Sequence, residues 1–245
     1  MDLVVEWLGR MRYREAWQRQ RALVSARYAG EAPDTLLLVE HEPVLTLGRH
    51  AADEHVIASP AELERRGIEV IRVERGGEVT YHGPGQLVAY PIVRLRERGL
   101  LLRPFVRALE ATMADVAESY GVEAVPRPGY PGVWIGPEGS RPRKLGALGL
   151  RVERGISYHG IALNISTRLA DFELIDTCGM AGLEVTSMAR ELGWQGVSAE
   201  PSTAAVSEAA RRFEEAFGRR LEAAISASAE QRPRTTGLAS PAPVA

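Results

Sequence analysis

The run Arg75-Gly76-Gly77-Glu78-Val79-Thr80-Tyr81-His82-Gly83-Pro84-Gly85-Gln86-Leu87-Val88 decides how the chain is read. Its pattern predicts two short strands, about 79–82 and 86–92, with Gly83-Pro84-Gly85 as the turn between them. Four glycines in the eleven positions from Arg75 to Gly85 leave backbone uncovered, so a ligand can lie against peptide groups with Arg75 and His82 beside it. A phosphate-binding loop is the weaker reading, because neither the Walker pattern nor Gly-x-Gly-x-x-Gly is present. A plain glycine-rich hairpin, with His82 as a hydrogen-bonded turn residue, accounts for the run as well as a binding site does.

Upstream, Leu3 to Leu8 reads as a strand and Tyr13 to Tyr28 as a helix studded with arginine. Thr35 to Glu40 and Val44 to Leu47 are apolar runs split by Pro43. Ser59-Pro60 starts a short helix that Gly67 ends, and Ile68 to Val73 alternates like a half-buried strand. Downstream, Phe105, Leu109, Met113 and Val116 recur at helical spacing up to Gly121. Gly132 to Gly136 and Lys144 to Val152 read as paired strands around a polar turn, and a third strand covers about 159–166. Val206, Ala210, Phe213, Phe217 and Leu221 form one helical stripe. Strands and helices interleave without a regular strand-helix-strand repeat, which predicts an α+β fold with a mixed or antiparallel sheet flanked by helices. One domain is expected over residues 1–227, and the Ala, Pro, Ser and Thr composition of 228–245 predicts a disordered tail.

With 245 residues, a net charge of -2, 45% apolar and 6% aromatic residues, the chain is long enough to bury a core unaided. The balanced charge and low aromatic content argue against a nucleic-acid partner. No apolar run reaches the length of a membrane span, and Met1 to Trp17 carries charges where a signal peptide is apolar, so a cytoplasmic protein with no membrane partner is expected. Arg10, Arg12, Arg14, Arg19, Arg21 and Arg27 gather positive charge near the N-terminus, which reads as a solvated helix face or as a surface that steers an acidic partner.

Two residues are unique. Lys144 is the single lysine among thirty basic residues, and Cys178 is the single cysteine. Arginine stays protonated, whereas lysine can give up a proton, so an otherwise arginine-only chain that keeps one lysine points to proton chemistry as well as to chance. Cys178 cannot form an internal disulfide and has no partners at metal-ligand spacing. Its place in Asp176-Thr177-Cys178-Gly179-Met180 reads as a loop, which leaves a nucleophile as the alternative to a small buried side chain. In Lys144-Leu145-Gly146-Ala147-Leu148-Gly149-Leu150 and His159-Gly160-Ile161-Ala162-Leu163-Asn164, small residues alternate with larger ones. Such faces suit a slender acyl chain or tight helix-on-sheet packing.

Taken in order, Arg75 to Gln86, the Lys144 segment, His159 to Asn164, and Cys178-Gly179 followed by Thr186-Ser187 closely resemble the lipoyl(octanoyl) transferases of lipoate biosynthesis, over roughly residues 30–215. The resemblance implies a fold shared with biotin and lipoate protein ligases, and transfer of an octanoyl group from octanoyl-acyl carrier protein to a lysine of a lipoyl domain. The acceptors it implies are the lipoyl domains of 2-oxoacid dehydrogenase complexes and the glycine cleavage H protein. No cofactor is implied, because thioester to amide is downhill. By position, Cys178 would bear the acyl group and Lys144 would assist it. The substrate would be lined by Arg75, Gly76, Gly77, Glu78, Val79, Thr80, Tyr81 and His82, by Ala147, Leu148 and Gly149, and by Gly160, Ile161 and Ala162. Leu145-Gly146 and Thr177 depart from the residues usual at those positions. An ATP-dependent ligase and an inert acyl-binding module are the competing classes, separated by ATP dependence and by tolerance of Cys178 loss.

Overall fold

The computed structural model describes residues 3–136, 141–176, 184–194 and 201–230. Eight strands form one mixed sheet: β1 (Leu3–Met11), β2 (Asp34–His41), β6 (Gln86–Ile92), β10 (Ile156–Asn164), β9 (Arg143–Glu153), β8 (Tyr130–Ile135) and β7 (Val125–Arg127) lie in that spatial order, and β11 (Glu184–Val185) pairs with β9. The β1/β2 and β9/β11 pairs are parallel and the others antiparallel. A second sheet of three strands runs β4 (Glu69–Arg72), β3 (Val44–Leu47), β5 (Val79–His82).

β2, β6 and β10 are buried along their whole length, as expected of strands covered on both faces. On one face α3 (Leu102–Glu118) and α5 (Thr203–Glu230) pack through Phe105, Leu109, Met113, Phe213 and Phe217. On the other lies α1 (Tyr13–Ala29), whose buried stripe is only Tyr13, Ala16, Gln20 and Val24. Its remaining positions include Arg14, Arg19, Arg21 and Arg27. The small sheet completes this second layer, with Tyr81, Leu45 and Leu47 packed on Leu174 and Ile175. α2 (Pro60–Arg65) is capped by Ser59, whose hydroxyl accepts from the Glu62 amide, and α4 (Met188–Glu191) is capped likewise by Ser187.

Two readings of the sequence need correction. The strands flanking Gly83-Pro84-Gly85 are no hairpin: β5 pairs with β3 in the small sheet and β6 with β2 and β10 in the large one, so the turn carries the chain between sheets. The stretch 68–73 holds the half-buried strand β4 as read, with Ile68, Ile71 and Val73 buried and Val70 exposed. The helix α5 continues to Glu230, because its stripe runs on through small residues: Ala224 and Ser228 are buried, and the Ser228 hydroxyl accepts from the Leu101 amide at 3.3 Å. A boundary at 227 therefore cuts a packed helix. Residues 231–245 lie outside the described residues.

Candidate active site

Between the two sheets lies a cavity of about 80 Å³. One wall is the loop Arg75 to Glu78 with Val79, Thr80 and His82 of β5. The opposite wall is Lys144, Ala147, Leu148 and Gly149 of β9 with Gly160, Ile161 and Ala162 of β10. Tyr13, Val88, Tyr90 and His159 complete it. A smaller adjoining cavity shares Val79, Thr80, Lys144, Ala147 and Ala162 and extends to Gln86, Asn164, Phe172 and Val185.

Lys144 reaches this space because of a bulge. Val133 pairs with Gly146 and Trp134 with Lys144, so Leu145 is an extra residue on β9. Simple alternation from Ala147 and Gly149 would put position 145 at the cavity and 144 in the α3 core. Instead Leu145 is buried in that core, and a side chain at Gly146 would meet Met113, Val133 and Leu163 there. The bulge thus turns Lys144 to the cavity side. Its Nζ stands 5.0 Å from the centre of the Trp134 ring, and its carbonyl accepts from the Thr186 amide at 2.9 Å.

The small residues divide by role. Ala147 and Ala162 are directly opposed across the β9/β10 ladder and leave room for a ligand. Gly149 and Gly160, also opposed, make room for backbone: a Cβ at Gly149 would lie 2.8 Å from the Gly76 carbonyl, and one at Gly160 would strike the Ala89 carbonyl. Beside Gly160, His159 adopts φ 53, and its amide leaves the sheet to bond Gln20 Oε1 of α1 at 2.8 Å. The residue opposite it in that register is Pro91, which has no N–H to offer the ladder.

Three imidazoles crowd the buried end. His41 donates from Nδ1 to the Met11 carbonyl at 3.2 Å, and its Nε2 lies 2.8 Å from the Tyr90 hydroxyl. His82 stacks on Tyr13, and His159 Nδ1 lies 3.5 Å from the Tyr13 hydroxyl. Burial pulls His41 down to about 4, and burial with the neighbouring His41 and Arg75 charges pulls His82 down to about 3. Burial brings His159 to about 4 against the opposing pull of Glu74. Arg75 is buried too, its guanidinium donating to the Thr46 carbonyl and hydroxyl and to the Gly76 carbonyl.

All but one of the expected lining residues border this space, although the side chains of Leu148 and Ile161 turn to the α3 and α5 core on the other face of the sheet. Tyr81 is the one that does not: strand alternation sends Thr80 and His82 to the cavity and Tyr81 beneath the small sheet, against Phe172. Cys178 lies outside the described residues. The last described residue before it is Asp176, whose amide bonds the His55 carbonyl, and the next described element is β11, where Val185 pairs with Lys144. Tyr13, Val88, Tyr90 and His159 were not anticipated as lining.

The expected basic surface near the N-terminus is largely neutralised. Arg10 pairs with Glu40, Arg14 with Glu69, Arg19 with Glu6, Arg21 with Glu74, and Arg27 with Asp34 and Glu97. Among the described residues no group of three or more His, Cys, Asp or Glu side chains could hold a metal ion, and no helix is long and apolar enough to cross a membrane.

The model of the lipoyl protein ligase A/B catalytic domain matches residues 12–217. Octanoyltransferases of Chloroflexus aurantiacus and Alkaliphilus metalliredigens are 45% and 46% identical to this chain, over 81% and 79% of it and 88% and 87% of their own lengths. The chain belongs to the octanoyltransferase family. Another member, from Myxococcus xanthus, is 46% identical over 192 residues, and there the match spans only about half of the relative, 54%. Among solved structures, lipoate-protein ligase A bound with ATP aligns at a TM-score of 0.60 with 14% identity over 94% of each chain. The bipartite lipoate protein ligase of Thermoplasma acidophilum aligns at 0.58 with 15% identity, over 96% of this chain and 93% of that one. At such identities the likeness is one of fold: the mixed sheet flanked by helices is that of the lipoate ligases, here in an octanoyltransferase family member.

Proposed function

We propose that this enzyme moves an octanoyl group from octanoyl-acyl carrier protein to a specific lysine of lipoyl domains through a thioester on Cys178, as the first step of endogenous protein lipoylation. The acceptors are the lipoyl domains of 2-oxoacid dehydrogenase complexes and the glycine cleavage H protein, and the setting is the cytoplasm. The observation that carries this reading is the cavity floored by Ala147 and Ala162 that passes the chain's single lysine. It offers apolar walls to an alkyl chain and, at Lys144, a group able to exchange a proton.

In the first half-reaction the Cys178 sulfur bonds the acyl carbon, and the carrier's sulfur leaves and takes up the thiol proton. In the second, the acceptor amine bonds that carbon, the C–S bond breaks, and the proton lost by nitrogen returns to the Cys178 sulfur. A free cysteine is only a few per cent thiolate near neutral pH, so a partner that holds and releases the shared proton accelerates both steps. Lys144 is assigned that role. Backbone amides beside Cys178 and Gly179 are the expected donors to the oxyanion. Thioester exchange conserves the energy of the thioester and its aminolysis to the amide is downhill, so ATP is not consumed.

Intact-mass analysis after mixing with octanoyl-acyl carrier protein tests the reading. One octanoyl adduct, absent in Cys178→Ser and removed by hydroxylamine, is expected. Strict ATP dependence with an octanoyl adenylate intermediate would overturn it in favour of a ligase.

A further inference from the structure

His82 belongs to a chain of side-chain hydrogen bonds whose direction can be fixed from its far end. The Asn164 amide nitrogen donates to the Thr186 carbonyl at 2.9 Å, which leaves Asn164 Oδ1 as an acceptor. Gln86 Nε2 donates to that oxygen at 2.9 Å and to the Tyr81 carbonyl at 3.3 Å, so Gln86 Oε1 is an acceptor as well. That oxygen lies 2.7 Å from His82 Nδ1, which must therefore carry the proton. The arrangement follows from the fold: Gln86 and Asn164 are direct partners across the β6/β10 ladder, and all three side chains are nearly inaccessible to solvent. The chain ends on the residue that supports the lysine, since the Thr186 amide donates to the Lys144 carbonyl.

We propose that Gln86 and Asn164 are positioning residues that hold His82 as the Nδ1–H tautomer, so that its bare Nε2 accepts a hydrogen bond from the attacking amine and does not donate one to the acyl carbonyl. The amine role rests on the acyl-transfer reading given above; the tautomer does not. No proton moves onto His82: the contact aims the nitrogen lone pair at the acyl carbon, while the proton released on N–C bond formation returns to the Cys178 sulfur as the C–S bond breaks. The groups facing the ring agree with a neutral imidazole, since Tyr13 stacks on it and His41, His159 and Arg75 all disfavour a second proton.

The test has two arms. Long-range nitrogen NMR on protein labelled at histidine reads the His82 tautomer directly at neutral pH. The Nδ1–H form is expected, and a dominant Nε2–H or doubly protonated ring would overturn the proposal whatever the enzyme's reaction. The second arm separates the two half-reactions in Gln86→Leu and in Asn164→Ser, each checked for an unchanged thermal transition. Loading of Cys178 involves no acceptor amine and should slow less than release does, any effect on it coming through the adjoining cavity that both residues line. Release to an acceptor lysine should slow about tenfold, roughly the value of one hydrogen bond, with mixed His82 tautomers in the same samples. Equal slowing of both steps, or unaltered release, would overturn it. Failure of the parent protein to load would sink the acyl-transfer reading while leaving the tautomer result standing.

Discussion

Lowering the pH should unfold this protein well above the range in which carboxylates titrate, because two histidines of the cavity wall, His82 and His159, and the buried His41 behind them have no room for a second proton. His41, His82 and His159 are held at about 4, 3 and 4, whereas in an unfolded chain each titrates near 6.5. A depressed folded value in a base means that the folded state refuses a proton the unfolded state accepts. The associated stability is therefore complete above about pH 6.5 and is lost as the pH falls toward the folded values. Between about pH 7.5 and about pH 5.5 each unfolded imidazole changes from nearly bare to nearly protonated while its folded counterpart stays neutral. Linkage then gives about 1.4 kcal/mol per histidine, or about 4 kcal/mol for the three. Against a typical stability of about 5–15 kcal/mol that is a large fraction. Urea unfolding at the two pH values, with the denaturant slopes compared, measures it directly. His41→Gln, which keeps a polar group near the Met11 carbonyl and the Tyr90 hydroxyl, should remove about a third of the difference. A stability that is flat over this window would refute the claim that these rings are buried and neutral.

Ala162→Leu puts extra carbons where Ala162 faces Ala147. It displaces about three methylenes of a long acyl tail and should weaken octanoyl against butanoyl donors by about 2.4 kcal/mol, or about sixtyfold, in competition assays; equal losses for both would mean that the residue only packs the sheet. Lys144→Arg should keep part of the alkylation rate of Cys178 by iodoacetamide yet lose transfer almost as fully as Lys144→Ala, and near-normal transfer would remove the lysine from the proton chemistry. Asp34 is buried between Arg27 and Arg98, and although burial opposes its ionisation, hydrogen bonds from both arginines and the Arg94 amide hold its carboxyl below the usual range. Asp34→Asn should cost about 3 kcal/mol at neutral pH in chemical denaturation, with the deficit vanishing only as the pH drops through the folded value, where the parent also loses the charge.

Much of the fold was legible because its pieces announce themselves locally. The stripes of α3 and α5 and the run of β6 are dense in apolar residues at the right period. Partner choice was not legible: nothing in Gly83-Pro84-Gly85 says that the strands on either side belong to different sheets. Strands as short as β7 and β11 carry too few residues to show a period. In the candidate site, the glycine-rich loop and the β9 and β10 segments could be named because small residues there are conspicuous. Tyr13, Val88 and Tyr90 were hidden, since each sits on an otherwise ordinary buried face, and only the packing of α1 and β6 against β10 brings them to the cavity. The basic cluster misled for a related reason: the carboxylates that answer Arg14, Arg21 and Arg27 come from Glu69, Glu74 and Asp34, outside the helix that bears them.

The extra residue on β9 ties the position of Lys144 to a count of residues. Lys144 and Ala147 stand an odd number of positions apart, which regular alternation would send to opposite faces, and the bulge at Leu145 absorbs the difference. Removing one residue at Leu145 or Gly146 would leave an even separation, so the strand could run regularly past Trp134 with the amine still on the cavity face. A one-residue gap in an alignment at this point is therefore compatible with a working lysine, and what such a chain gives up is one side chain in the α3 core.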